Sequence, residues 1–198
     1  MLDYQEQFYN EEINLIVGVD EAGRGPLAGP VVASAVILPR AYINNEINDS
    51  KQLSEKKREK LYKEIMENAI AVGIGIVDAP TIDEINIYEA ARLAMNKAIE
   101  NMKHDFDLIL TDAMPLFGYK QKVIDIIKGD AKALPIAAAS IIAKVTRDRL
   151  MVQYDSIMPG YGFAENKGYG SQAHIEALKK LGPTPIHRRS FIKNLVSI

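Results

Sequence analysis

The chain contains no cysteine, which excludes disulfides, zinc sites built from thiolates and a cysteine nucleophile, and which fits a reducing compartment. Residues 1–14 are polar and acidic and lack the apolar core of a signal peptide. No uninterrupted apolar stretch is long enough to span a membrane. The Gly-x-x-x-x-Gly-Lys-Ser/Thr motif of phosphate-loop nucleotide hydrolases is also missing. We therefore expect a cytoplasmic protein without membrane association.

Charge is distributed unevenly along the 198 residues, although the net charge is only −2. Residues 1–119 hold 11 Lys and Arg against 20 Asp and Glu, whereas residues 120–198 hold 13 against 6. A basic half indicates a polyanionic partner, and the alternative is ordinary variation of solvated surface charge. The apolar fraction of 47% and the charged fraction of 25% are those of a globular protein.

Apolar, β-branched runs bounded by turn residues predict five strands. They cover residues 14–20, 31–38, 69–77, 107–112 and 122–128. Helical spacing predicts four longer helices, at residues 54–68, 86–103, 135–158 and 171–181. The first three strands lie close in sequence and can form an antiparallel meander, and the fourth can join them through a helical crossover. This order predicts an α/β fold with a mixed sheet flanked by helices.

A single domain spanning residues 1–198 is expected, because the sequence shows no internal repeat, low-complexity tract or Pro/Ser-rich linker. Residues 159–167 form an extended loop rich in glycine and aromatic residues. This loop leads into a small helical extension, so we expect residues 159–198 to be a C-terminal appendage of the domain.

Four carboxylates follow apolar runs and are candidates for one site. Asp20 and Glu21 end the first strand, Asp112 ends the fourth, and Asp130 follows the fifth. Acids packed together repel one another unless cations neutralise them, and hard divalent cations prefer oxygen ligands. Two such ions about 3.5–4 Å apart can activate a water and stabilise the leaving oxygen in phosphodiester hydrolysis. The alternative is that each acid closes a strand as a turn or cap residue.

Asp20 and Glu21 raise a geometric problem, because adjacent residues of an ideal strand point to opposite faces. They can share a site only if the strand ends or twists there. The Ala-Gly-Arg-Gly that follows favours such an ending, and its glycines let the backbone approach a ligand closely.

Six segments stand in an order that resembles ribonuclease HII. They are Asp20-Glu-Ala-Gly-Arg-Gly25, Asp49-Ser-Lys-Gln-Leu53, Lys128-Gly-Asp-Ala131, the Ala-rich segment 137–148, Gly168-Tyr-Gly170 and His187-Arg-Arg-Ser-Phe191. The resemblance runs from about residue 14 to residue 191. It implies a ribonuclease H-like fold, with a five-stranded mixed sheet flanked by helices, and two Mg²⁺ or Mn²⁺ ions. The implied metal-binding and catalytic residues are Asp20, Glu21, Asp112 and Asp130.

The resemblance also implies a substrate. The family cleaves the RNA strand of RNA–DNA hybrids and nicks duplex DNA 5′ to an embedded ribonucleotide, leaving a 3′-hydroxyl and a 5′-phosphate. Gly23, Arg24 and Gly25 match the family loop that contacts the 2′-hydroxyl, the group by which RNA is distinguished from DNA. Tyr169 matches the tyrosine that packs on the neighbouring sugar at an RNA–DNA junction. Without the resemblance, Tyr169 would be interpreted as a half-buried surface aromatic.

Phosphate contacts are expected from basic residues, which set affinity and register without reading base sequence. The candidates are Lys51, Lys144, Arg188 and Arg189, and salt bridges are the alternative for each. Ser140 could reach a phosphate or could be a small residue at a helix packing seam. We expect a structural role for His187. Asn166 stands where the family pattern predicts a basic residue or histidine, so we expect a weaker substrate contact there.

Two other functions remain open at this point. One is a nuclease or resolvase of the same fold acting on branched DNA, since fold alone does not fix function. The other is a non-catalytic hybrid-binding protein, against which the four intact acids argue. We expect a monomer, and residues 191–198 carry no motif that supports binding to a sliding clamp.

Overall fold

The structure, a computed structural model, describes residues 2–47 and 50–196, apart from the side chain of Lys51. Asp49 of the predicted Asp49-Ser-Lys-Gln-Leu53 segment lies outside the described residues. The strands are β1 Ile16–Ala22, β2 Val31–Ile37, β3 Ala71–Val77, β4 Leu108–Asp112 and β5 Lys122–Ile126. The helices are α1 Glu55–Asn68, α2 Ala79–Ile85, α3 Ile87–Met102, α4 Leu134–Ile157, α5 Phe163–Asn166, α6 Gln172–Leu181 and α7 Arg189–Ile192.

The five strands form one sheet in the order β3-β2-β1-β4-β5. β1, β2 and β3 pair antiparallel, whereas β1 pairs with β4, and β4 with β5, in parallel. The predicted meander and crossover are therefore confirmed. β2 is buried along its whole length because helices cover both faces of the sheet, which explains its continuous apolar run.

Glycines bring the two covering helices close to the sheet. A Cβ on Gly73 would lie 2.0 Å from the carbonyl oxygen of Ala98, so β3 and α3 are in backbone contact on one face. On the other face, a Cβ on Gly18 of β1 would lie 2.1 Å from the carbonyl carbon of Pro135, at the start of α4. α4 is therefore seated directly over the strand that carries Asp20.

The four predicted helices are present, and polar side chains cap the starts of α1 and α3. Ser54 accepts a hydrogen bond from the amide of Lys57 at the start of α1, and Asn86 caps α3 by accepting from Tyr88 and Glu89. α2, α5 and α7 were not predicted. All three are short, and α5 replaces part of the loop expected over residues 159–167. No helix in residues 2–47 and 50–196 is long and apolar enough to cross a membrane.

The residues after α4 pack against the segment that follows β1. Tyr161 and Phe163 pack with Ala28 and Met151 in a buried apolar cluster. An isolated antiparallel bridge joins Ala28 to His187. The C-terminal helices are thereby held against the loop that follows β1.

Candidate active site

Three carboxylates from separate segments meet at one edge of the sheet. Asp20 lies in β1, Asp112 ends β4, and Asp130 lies in the 3-10 helix Gly129–Ala131 after β5. Each offers an oxygen within 4.8 Å of the other two. β1, β4 and β5 are parallel neighbours, so their carboxyl ends share an edge. We call these three residues the carboxylate cluster.

Burial and mutual repulsion shape the electrostatics of the cluster. The pKa of Asp20 is raised well above its usual value, first by burial and then by the negative charges of Glu21 and Asp112. A hydrogen bond from Ser140 and the amide of Glu21 act against that rise. Asp112 is fixed by the amide of Gly129, which donates to its Oδ1 at 2.7 Å. Asp20 is therefore a weaker acid than an exposed aspartate, and hydrogen bonds hold the carboxylates of Asp20 and Asp112 in place.

Glu21 lies beside the cluster rather than within it. β1 continues to Ala22, so Asp20 and Glu21 occupy successive positions of a regular strand. Glu21 Oε1 accepts a hydrogen bond from Arg24 Nη1 at 3.4 Å. Its Oε2 is buried and has no hydrogen-bond partner within the described residues. Burial raises the pKa of Glu21, Arg24 lowers it, and Asp112 raises it.

The residues present fit a divalent metal ion. Three carboxylates converge, and a fourth presents a buried oxygen without a hydrogen-bond partner among the described residues. Such a set is unfavourable without cations, because each charge is desolvated and faces others of the same sign. All candidate ligand atoms are oxygens, the donors preferred by Mg²⁺ and Mn²⁺.

The glycine loop, residues 23–25, follows directly. Gly23 has a φ of 98°, which favours glycine, and a Cβ there would lie 2.1 Å from Arg147 Nε. Arg24 and Gly25 are exposed. A Cβ on Gly25 would lie 3.8 Å from the Tyr169 ring, so the structure brings the predicted 2′-hydroxyl loop and the predicted junction tyrosine together.

Tyr169 projects from a tight turn, which we call the tyrosine turn, residues 166–169. Its side chain is 46% exposed. Lys144 Nζ lies 5.9 Å from the centre of its ring. Asn166 shapes the turn, because its Oδ1 accepts from the amide of Gly168 and its Nδ2 donates to the carbonyl of Tyr161. Asn166 thus stabilises the backbone of the turn through its side-chain hydrogen bonds, a role that the sequence did not indicate.

The predicted phosphate-binding residues occupy different environments. Lys144 is half-buried and pairs with Asp148 at 2.8 Å, as the salt-bridge alternative allowed. Arg189 is exposed at the start of α7. Ser140 is buried in α4, where its Oγ lies 2.8 Å from Ser50 Oγ. The side chain of Lys51 lies outside what the structure describes.

Arg188 requires a correction. Its side chain is 0% exposed, and its guanidinium donates to the carbonyl oxygens of Gly23, Arg24 and Gly29. A buried guanidinium whose donors face the backbone cannot also hold a solvent-borne phosphate. The sequence prediction is wrong for this conformation because an Arg next to Arg189 in a C-terminal motif shows no sign of burial.

Arg147 is a functional candidate that the sequence reasoning missed. It is 0% exposed and donates to the carbonyl oxygens of Pro30, Lys167 and Ala28. The available signal was its place on α4, three residues after Lys144 and four before the buried Met151. A cation on that apolar stripe must find polar partners within the fold.

His187 is buried and structural, as expected, and His174 is its partner. The amide of Thr184 donates to His187 Nδ1 at 2.9 Å, so the proton of a neutral His187 lies on Nε2. That nitrogen lies 3.0 Å from His174 Nε2, which leaves His174 Nδ1 to donate to the carbonyl of Tyr169 at 2.8 Å. A chain of neutral imidazoles therefore ends on the tyrosine turn.

Acid should weaken the fold through this pair. Burial, His174 and Arg189 lower the pKa of His187 to about 4, from an ordinary value of 6.5. The unfolded chain therefore takes up a proton that the folded chain refuses, and stability falls between pH 6.5 and 4. The loss is up to about 1.4 kcal/mol per pH unit. Urea unfolding of wild type and His187→Gln from pH 7 to 5 measures it.

The expected result is that wild type loses its advantage over His187→Gln as the pH decreases. His104→Gln is the matched control, because His104 is exposed. A pH-independent difference between wild type and His187→Gln would contradict the assignment. The site carboxylates titrate equally in all three proteins and cancel in the comparison.

The fold and the carboxylate cluster together define a class. A mixed five-stranded sheet with acids converging at the ends of its parallel strands is the ribonuclease H-like arrangement, which is typical of metal-dependent nucleases. The chain belongs to the ribonuclease HII family, whose model matches residues 17–194. The family resemblance, the fold and the prediction of a nuclease are thereby confirmed.

Individual proteins agree with this assignment. The chain is 63% identical to a ribonuclease HII of Lachnoclostridium phytofermentans over 92% of its own length and 72% of that protein. The crystal structure of ribonuclease H2 from Pyrococcus horikoshii superposes with a TM-score of 0.76 at 29% identity, covering 91% of this chain and 96% of that one. Ribonuclease HII of Archaeoglobus fulgidus, solved in a complex with PCNA, has a TM-score of 0.74 at 25% identity, covering 92% and 97%.

Proposed function

We propose that this protein hydrolyses the RNA strand of RNA–DNA hybrids and nicks duplex DNA 5′ to embedded ribonucleotides, leaving 3′-hydroxyl and 5′-phosphate ends. This activity is the incision step of ribonucleotide excision repair. The observation that carries the proposal is the position of the glycine loop. It begins two residues after Glu21, which lies beside the carboxylate cluster, and at its far end a Cβ on Gly25 would lie 3.8 Å from the Tyr169 ring.

The carboxylate cluster, with Glu21, is proposed to hold two Mg²⁺ or Mn²⁺ ions. When bound, these ions supply charge neutralisation and Lewis-acid activation for phosphodiester hydrolysis. Asp20 is buried and hydrogen-bonded by Ser140, so Ser140 orients an acid rather than a phosphate. The amide of Gly129 orients Asp112 in the same way. Such fixed ligands place the scissile phosphate without reorganisation during the reaction.

Substrate selection is proposed to reside in the glycine loop and Tyr169. Arg24 and Gly25 are exposed residues, and because Gly25 has no side chain, the backbone there can approach a 2′-hydroxyl closely. The exposed ring of Tyr169 can pack on the next sugar. Because these groups are adjacent, one nucleotide step reaches both. This arrangement can read sugar chemistry independently of base sequence.

Phosphate contacts are proposed for Lys51, Lys144 and the exposed Arg189. These residues supply affinity that falls with salt and carries no sequence preference. Residues 159–198, which contain the tyrosine turn and Arg189, act as the substrate-binding appendage of a single domain.

We also propose that the protein acts as a monomer in the cytoplasm. Residues 191–198 provide no argument for a sliding clamp like the PCNA bound to the Archaeoglobus protein.

The test compares labelled duplexes that contain no ribonucleotide, one ribonucleotide, or a continuous RNA strand, each with Mg²⁺, Mn²⁺ or a chelator. We expect metal-dependent cleavage of the second and third duplexes only, with the products' ends as stated above. Cleavage of the all-DNA duplex, or of an all-DNA branched junction, would instead favour a resolvase. Tight hybrid binding without metal-dependent turnover would favour a non-catalytic binding protein.

A further inference from the structure

Two buried arginines, Arg147 and Arg188, lie beneath the proposed substrate-reading surface. Each is 0% exposed, so neither side chain can contact a substrate directly. Burial lowers the pKa of Arg147, and it lowers the pKa of Arg188 to about 9 with help from the charge of Arg147. Two desolvated cations this close are unfavourable unless their donors are well satisfied.

Their donors are satisfied by the backbone of two separate segments. Arg188 donates to Gly23 and Arg24 of the glycine loop and twice to Gly29, at 2.6 to 3.0 Å. Arg147 donates to Ala28 and Pro30 on one side and to Lys167 of the tyrosine turn on the other, at 2.9 to 3.1 Å. Arg188 therefore connects the glycine loop to residues 28–30, and Arg147 connects the tyrosine turn to the same residues.

Other contacts make this connection rigid. The amides of Leu27 and Ala28 both donate to the carbonyl of Gly168, which precedes Tyr169. A Cβ on Gly23 would collide with Arg147, and one on Gly168 would lie 2.3 Å from the carbonyl oxygen of Ala28. Gly168 of the tyrosine turn thus lies directly against the backbone of Ala28, three residues after the glycine loop, and Gly23 lies directly against the Arg147 side chain. A shift of the loop or of the turn would change the spacing between Gly25 and Tyr169.

We propose that Arg147 and Arg188 are positioning residues for selection of the ribonucleotide, fixing the spacing between the glycine loop and Tyr169. They act through the backbone and touch no substrate. This inference rests on the proposed function, because it concerns the same substrate-reading surface. Lysine cannot replace either one, since three donors on a single nitrogen cannot reach carbonyls on different sides as the planar guanidinium does.

The experiment uses the full-length Arg147→Lys and Arg188→Lys variants, which keep the charge and lose the fork. Arg149→Lys is the matched control, because Arg149 is on α4 but pairs with Glu59 at the surface. The values of kcat and KM are measured on a duplex with one ribonucleotide and on a continuous RNA–DNA hybrid. Every nucleotide of the RNA strand in a hybrid carries a 2′-hydroxyl, so cleavage of a hybrid should depend less on the spacing between the glycine loop and Tyr169.

We expect KM on the single-ribonucleotide duplex to rise about tenfold or more in both variants, since small misplacements in a site are costly. The ratio of kcat/KM on that duplex to kcat/KM on the hybrid should fall by a similar factor, and Arg149→Lys should leave it within about twofold. If the arginines only stabilise the fold, the substitutions reduce the fraction of active enzyme, which lowers kcat/KM on both substrates by the same factor. An unchanged ratio therefore overturns the proposal, even when total activity falls.

Gly168→Ala supplies an independent route to the same result. It pushes the tyrosine turn away from Ala28 while leaving both arginines in place, so it should lower the same ratio. If the lysine variants do not fold, an unchanged ratio in Gly168→Ala overturns the proposal. If wild type cuts only the single-ribonucleotide duplex, KM on that duplex decides, because KM does not depend on the folded fraction. If wild type cuts only the hybrid, the selection of a single ribonucleotide that this inference explains does not occur, and the inference is overturned. If wild type cuts neither, the proposed function itself fails.

Discussion

Asp112→Asn should lower the rate of hybrid cleavage by at least about 10³-fold, which corresponds to losing several kcal/mol of charge stabilisation in the transition state. Asparagine keeps an oxygen that can still accept from the amide of Gly129, so the local geometry should survive. It removes the charge that a divalent ion needs. It also removes a charge that raises the pKa of Asp20 and of Glu21.

The loss of activity should therefore be accompanied by equal or greater stability without metal. Mg²⁺ should raise the unfolding temperature of wild type through linkage, and this rise should be smaller in the variant. Cleavage assays and thermal unfolding with and without Mg²⁺ measure both effects. Asp125→Asn is the matched control, since Asp125 is an exposed acid of β5 outside the cluster. Cleavage within tenfold of wild type by Asp112→Asn would refute the assignment of the cluster.

Gly18→Ala should destabilise the fold by about 3 kcal/mol or more, at the upper end of overpacking effects. The added Cβ would lie 2.1 Å from the carbonyl carbon of Pro135 and 2.4 Å from its oxygen. These are backbone atoms of α4, so relief requires the helix to move away from β1. Because interiors are close-packed, this movement would disturb the covering layer on that face of the sheet.

Chemical denaturation should register this loss, and the unfolding temperature should fall by about 6–12 °C. Gly118→Ala separates collision from backbone strain, because a Cβ at Gly118 meets nothing within 4 Å although its φ is 89°. Strain alone costs about 1–2 kcal/mol. If Gly18→Ala costs no more than Gly118→Ala, the close contact between β1 and α4 does not exist in solution.

Local patterns determined most of the fold. Each strand was visible because it carries an apolar run, and α1 and α3 were visible because their residues recur at helical spacing. α2 was missed because it has only seven residues, with Pro80 in its first turn. The short α5 was missed because its four residues lie between Gly162 and Gly168, where glycine indicates a loop.

The four acids could also be identified in the sequence, but the sequence did not determine which of them lie together. Asp20, Asp112 and Asp130 follow strands that became parallel neighbours, so strand ends predicted their convergence. Whether Glu21 could join them depended on where β1 stops. The apolar run predicted a strand that stops at residue 20, whereas β1 runs to Ala22, directly before Gly23. Asp20 and Glu21 therefore stay on successive positions of one strand, and Glu21 lies beside the cluster.

The sequence by itself determined the family, the strands and helices, and the presence of acids and glycines suited to metal and sugar recognition. Only the tertiary structure decided what the cations do. Lys144 and Arg188 were both candidates for phosphate contacts in the sequence, yet Arg188 is buried beneath the glycine loop with Arg147. The physical reason is that burial and hydrogen-bond partners come from segments far apart in the chain, and residue type and local spacing carry no record of them.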